Sequence, residues 1–217
     1  MIKVSISVAA VAVVGLLAYG GLKVTKSVLG VEEQTMQCSG LLQKVCKLDL
    51  GREIKDASYY ATTAREIKDL FPADTINVHL SGMGGSAEGA IRLVDALQRT
   101  KAHVVAVIEG DIASGHSFIA FSIKDVRFES QGFALFHNIS TSNMETTLCA
   151  DVEGLDRGMS AKDKCIEDMR AINVIYNNIL EFIPRQILTS AELDLYHQGH
   201  DIILSFDELK KRLQENK

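Results

Sequence analysis

Runs of apolar residues along the chain change period at glycine, proline and small polar residues, and each change marks a predicted element. "VCKLDL" (45–50) reads as a short strand, and "DASYYATTAREIKDLF" (56–71) has apolar residues at helical spacing until Pro72 stops it. "TINVHL" (75–80) reads as a strand and "SGMGGS" (81–86) as a glycine-rich turn. An amphipathic helix follows, with Ala87, Ala90, Ile91, Val94 and Leu97 on one face. "HVVAVI" (103–108) is apolar almost throughout, as expected of a parallel strand covered on both faces. Strand, helix and strand at this length predict a right-handed crossover unit.

The next stretch, "EGDIASGHS" (109–117), is rich in small residues and is expected to turn the chain sharply out of that strand, with a second helix beginning at Ser114. Short strands follow around "VRF" (126–128) and "FALFH" (133–137), then a polar, irregular stretch at 139–159 that reads as an insertion. Residues 160–183 carry Ile166, Met169, Ile172, Tyr176, Ile179 and Ile183 at helical spacing and end near Pro184. A helix from Ser190, a strand "DIIL" (201–204) and a charged helical tail complete the chain. The predicted class is α/β; residues 24–44 read as a connector, with no internal repeat or low-complexity tract.

The first thirty residues differ in kind. "VSISVAAVAVVGLLAYGGL", between Lys3 and Lys23, is nineteen residues without a charge. As a helix it would extend roughly 28 Å, about the hydrocarbon thickness of a bilayer. It is longer than the core of a secretory signal peptide, so an uncleaved transmembrane anchor is favoured over cleavage near Ala18-Tyr19-Gly20. Lys3 on one side and Lys23 and Lys26 on the other leave its orientation open. The expected organisation is an anchor or signal segment at 1–30 and one domain at 31–217.

Composition narrows the function. The 217 residues are 47% hydrophobic with a net charge of −5, enough apolar content for one folded domain. No basic cluster interleaves with aromatics, which argues against a nucleic-acid partner, because phosphate neutralisation needs concentrated Lys and Arg. The cysteines form two close pairs, Cys38 with Cys46 and Cys149 with Cys165, neither at metal-site spacing. An oxidising export compartment would staple both, and a reducing one would leave four thiols.

Three features fall at strand ends of one predicted sheet: the Gly84-Gly85 turn, Ser114 and His137. Sites in open α/β sheets form at the carboxyl ends of parallel strands. A serine hydroxyl is a poor nucleophile until a neighbouring base takes its proton, which a histidine would do. Backbone N–H groups at a glycine turn and at a helix start would stabilise the charge that develops on an attacked carbonyl.

With these residues assembled, "SGMGGSAEGAIRLVDALQRTKAHVVAVIEGDIASGHSFIA" followed by "FALFHN" resembles the Clp protease proteolytic-subunit family, within the wider Clp/crotonase superfamily. The resemblance covers residues 75–137 well and the tail 187–203 loosely, about half of the chain. It implies a fold of repeated β-β-α units and a serine endopeptidase without a cofactor or metal. Its expected residues are Ser114 as nucleophile, His137 as general base and the amides of Gly85 and Gly115 as oxyanion hole. It also implies a peptide or protein substrate and a homo-oligomer. The expected location is membrane-anchored through the N-terminal helix, with the domain exported.

The chain departs from the family pattern at Met83, where a proline precedes the glycine pair, and at Gly115-His116 after the serine. The position of the third triad acid is Arg185 here, and Glu181, one helical turn earlier, or Asp194 would have to substitute. Three other readings remain: an inactive oligomeric scaffold, a Ser-Lys peptidase using Lys162 or Lys164, and a crotonase acting on acyl-CoA thioesters. His116 reads as a surface or cleft residue. Asp194, His197 and His200 lie at three-residue intervals, a pattern commoner in an ordinary polar helix than in a metal site. "SGMGGS" lacks the Lys-Ser/Thr of a phosphate loop, and "NIS" at Asn138 matches a glycosylation sequon with nothing else in its support.

Overall fold

The structure, a computed structural model, describes residues 34–138, 155–156 and 159–215. The predicted N-terminal helix and most of the 139–159 insertion lie outside the described residues. Among those described, no helix is long and apolar enough to cross a membrane.

A seven-stranded sheet organises the fold, in the order β1 (Gln37–Ser39), β2 (Val45–Leu50), β3 (Thr75–Gly82), β4 (His103–Ala113), β6 (Phe133–Phe136) and β9 (Ile202–Ser205). Strand β5 (Asp125–Phe128) pairs beside β4. Strands β2 to β6 run parallel, and the edge strands β1 and β9 are antiparallel to their neighbours. β4 meets two partners in turn: Val105–Ile108 pair with β5, and Ile112–Ala113 pair with β6. β7 (Leu155–Asp156) and β8 (Met159–Ser160) form a separate two-stranded ribbon. The mixed α/β class read from the sequence is therefore correct.

Burial along the strands follows their composition. β2 and β3 alternate, with Cys46, Leu48, Ile76 and Val78 inside and Lys47, Asp49, Asn77 and His79 on the outer face. Val105–Ile108 of β4 are buried on both faces, as their unbroken apolar run predicts. β4 does not end at Ile108, however. It continues through Glu109–Ala113, with Glu109 and Asp111 at exposed positions and an irregularity in its pairing with β3, whose register shifts between Leu80–Ile108 and Gly82–Ile112. The sharp turn comes at Ser114 itself.

Helices α1 (Ala61–Lys68), α2 (Ala87–Arg99) and α3 (Gly115–Ser122) follow β2, β3 and β4. Ser86 caps α2, accepting from Gly89 N–H at 3.2 Å, and Ala90, Leu93, Val94 and Leu97 form its buried stripe. α3 is apolar all round, and Gly115–Phe121 are all buried. The long helix α4 (Ala161–Leu180) stops at Leu180, and Pro184 starts the short α5 (Pro184–Ile187) instead of ending its predecessor, since proline suits a first helical turn.

α6 (Ser190–His197) opens with a capping box between Thr189 and Glu192. It is tied to α7 (Phe206–Glu215) by Arg212, whose Nη atoms reach the two Glu192 oxygens at 2.6 and 3.0 Å while Nε reaches Glu208 at 2.8 Å. The bidentate guanidinium holds the Glu192 carboxyl down at about 2. α6 is thus fixed where its Tyr196 enters the core.

Candidate active site

The carboxyl ends of three parallel neighbours, β3, β4 and β6, carry Gly84-Gly85, Ser114 and His137 respectively. Ser114 is where β4 becomes α3. Its backbone has φ +53° and ψ −121°, and among the described residues no other non-glycine has positive φ. That conformation costs about 1–3 kcal/mol and persists only where its surroundings impose it. Here the Ser114 N–H donates to Leu135 O at 3.1 Å, and its carbonyl accepts from Phe118 N–H at 2.9 Å as the first bond of α3. The Ser117 hydroxyl donates to the same Leu135 carbonyl at 3.1 Å. The Ser114 hydroxyl itself makes no hydrogen bond among the described residues.

The glycine turn lies directly against this hydroxyl. A Cβ on Gly84 would come 2.6 Å from Ser114 Cβ, and Gly84 has φ +103°, so only glycine fits. Around Gly85 the neighbouring polar groups are used: Ile54 N–H donates to Gly84 O at 2.9 Å, and Ser86 N–H to Ile54 O at 2.8 Å. Gly84 N–H donates to His116 Nδ1 at 2.9 Å. The Gly85 and Gly115 amides make no hydrogen bond among the described residues. They are neighbours, since a Cβ on Gly115 would lie 3.9 Å from Gly85 N. Two free N–H donors beside a serine hydroxyl can receive a developing oxyanion.

His116 is not at the surface or in a cleft. It is fully buried, its Nδ1 accepting from Gly84 and its Nε2 donating to Leu50 O at 2.7 Å. These two bonds fix the neutral ring, and burial pushes its pKa below the ordinary histidine value. His116 thereby braces the turn that presents Gly85. A histidine inside the apolar run "GHSFIAFS" was the available signal for such a core role.

Ser114 and His137 line the same small cavity of ≈ 30 Å³, together with Phe118, Phe136, Ile183 and Tyr196. No hydrogen bond joins the two among the described residues. His137 Nδ1 instead faces the main-chain oxygen of Asn138 at 2.9 Å, and Asn138 Nδ2 donates to Tyr196 O at 2.7 Å. The sequon amide is therefore engaged within the fold. Burial first, and then the Glu181 charge, push the Tyr196 hydroxyl up to about 12, so it stays protonated at neutral pH.

Glu181 is directed elsewhere: its Oε1 pairs with His197 Nε2 and, at 2.7 Å, with Arg185 Nη2. The structure places Arg185 one turn along from Glu181 and gives Glu181 no bond to His137. Asp194 is exposed on α6, and Lys162 is exposed on α4; the Lys164 side chain lies outside the described ones. No cluster of metal-ligating side chains occurs among the described residues. The sequence matches no model of a known protein family and no curated protein.

Proposed function

We propose that the chain is a serine-type peptidase with a Clp/crotonase-like fold, cleaving peptide bonds through an acyl-enzyme on Ser114. The observation that carries this reading is the strained backbone of Ser114 beside two amides that make no hydrogen bond among the described residues. A strand-to-helix turn of this kind lifts the hydroxyl free of its own helix, and such strain concentrates where a side chain must be presented to a substrate.

In the proposed reaction Ser114 Oγ attacks the peptide carbonyl carbon while its proton passes to Nε2 of His137. The carbonyl electron pair moves to the oxygen, held by the Gly85 and Gly115 N–H groups. Collapse breaks the C–N bond and the same proton leaves with the amine. Water, deprotonated by His137, then hydrolyses the ester.

The three described cysteines support export to an oxidising compartment. Cys38 and Cys46 form a disulfide across β1 and β2, and Cys165 is also disulfide-bonded. The membrane anchor and the homo-oligomer belong to the same proposal; Phe182, 59% exposed beside α5, is apolar surface that a second subunit would cover. Hydrolysis of a peptide library by the full-length chain tests the reading. Ser114→Ala and His137→Ala are expected to lower kcat at least about 10⁴-fold with the fold intact. Unchanged hydrolysis in Ser114→Ala would overturn it.

A further inference from the structure

We infer that the third member of the site is the main-chain carbonyl of Asn138, backed by the Asn138 side chain, in place of a carboxylate among the described residues. This rests on the peptidase reading and deepens it.

A carbonyl oxygen can only accept, so the 2.9 Å contact places the hydrogen on His137 Nδ1 and, in the neutral ring, leaves the lone pair on Nε2. That is the tautomer a base needs if Nε2 is to take the serine proton, and securing it is one of the two roles of a triad acid. The other role, neutralising the imidazolium, is filled only partly by a carbonyl dipole. Among the described residues no carboxylate bonds to His137. Glu181, the carboxylate expected in this role, is held by Arg185 and His197.

A carbonyl on the very next residue is a soft constraint by itself, because rotation about the Cα–C bond of Asn138 would swing it off the ring. The Asn138 side chain anchors the Cα from which that carbonyl projects. Its Nδ2 donates to Tyr196 O at 2.7 Å, which ties the end of β6 to α6. Tyr196 is 2% exposed, and α6 is pinned by its capping box and by the Arg212–Glu192 pair. Asn138 is therefore a positioning residue acting through His137.

The test uses the full-length chain. In Asn138→Ala, kcat is expected to fall about 10- to 100-fold while KM changes less than about threefold. Asn138→Asp, close in shape but unable when ionised to donate to Tyr196 O, is expected to fall as far. A residue that merely fills space would tolerate that change. ¹⁵N NMR of histidine-labelled protein is expected to find His137 protonated at Nδ1 in the parent and to lose that tautomer in both variants.

Three results would overturn the inference: an Nε2–H tautomer in the parent chain, full activity in Asn138→Asp, or a larger kcat loss in Glu181→Gln than in Asn138→Ala. The tautomer of the parent decides the matter even where a variant fails to fold. If Ser114→Ala stays active, the peptidase reading itself has failed. If Ser114→Ala and His137→Ala are dead while both Asn138 variants are normal, only the role of Asn138 has failed.

Discussion

Ser114 holds a backbone conformation that an L side chain adopts only under constraint, and the constraint comes from its neighbours. Leu135 O fixes its N–H, Gly84 presses on its Cβ, and α3 begins on its carbonyl. Glycine relieves this strain, so Ser114→Gly is expected to raise unfolding stability by about 1 kcal/mol while abolishing hydrolysis, a trade seen by thermal unfolding alongside a peptide assay. A lower melting temperature in that variant would mean that the turn is not strained. Ser114, Gly85 and His137 were legible because small residues and a histidine interrupt apolar strands. Asn138 was not, since its main-chain oxygen carries no side-chain signature and its anchor on Tyr196 spans 58 positions. Helical spacing from Arg185 points to Glu181 as a substitute acid, and that same spacing instead lets the two pair with each other.

At the scale of elements, the glycine turn and α3 act as one unit through His116. The two buried bonds of this ring leave no place for a second ring proton. Because its folded pKa is depressed, the unfolded chain takes up a proton below about pH 6.5 while the folded chain does not. Its contribution to stability is therefore full above that pH and lost as pH falls below it. The difference in unfolding free energy between the parent and His116→Gln, measured by urea titration from pH 8 to 5, should narrow as pH falls. A constant difference would contradict the role assigned to His116. Most elements were readable from apolar periodicity, including β2 at its observed boundaries and α6 from Ser190. The second half of β4 was missed because Glu109 and Asp111 look like loop residues, although they occupy its outward positions. β1 escaped because three exposed residues carry no period.

Over the whole molecule, three parallel strands with little in common in sequence deliver their carboxyl ends to one place, and the proposed chemistry rests on that convergence. The α/β class was legible because the period switches repeatedly between two and 3.6 residues. The meeting of Ser114 with His137 in one cavity depends on β4 turning from β5 to β6 along its length, which no local pattern encodes. The disulfide between β1 and β2 extends the sheet at its far edge and leaves this convergence untouched. The account stands most directly on whether the Ser114 hydroxyl is activated. The full-length chain should be treated with a fluorophosphonate and its adduct mapped by peptide mass spectrometry. The expected result is one adduct, on Ser114, absent from Ser114→Ala and strongly slowed in His137→Ala. An unlabelled chain, or a label on another serine, would contradict it.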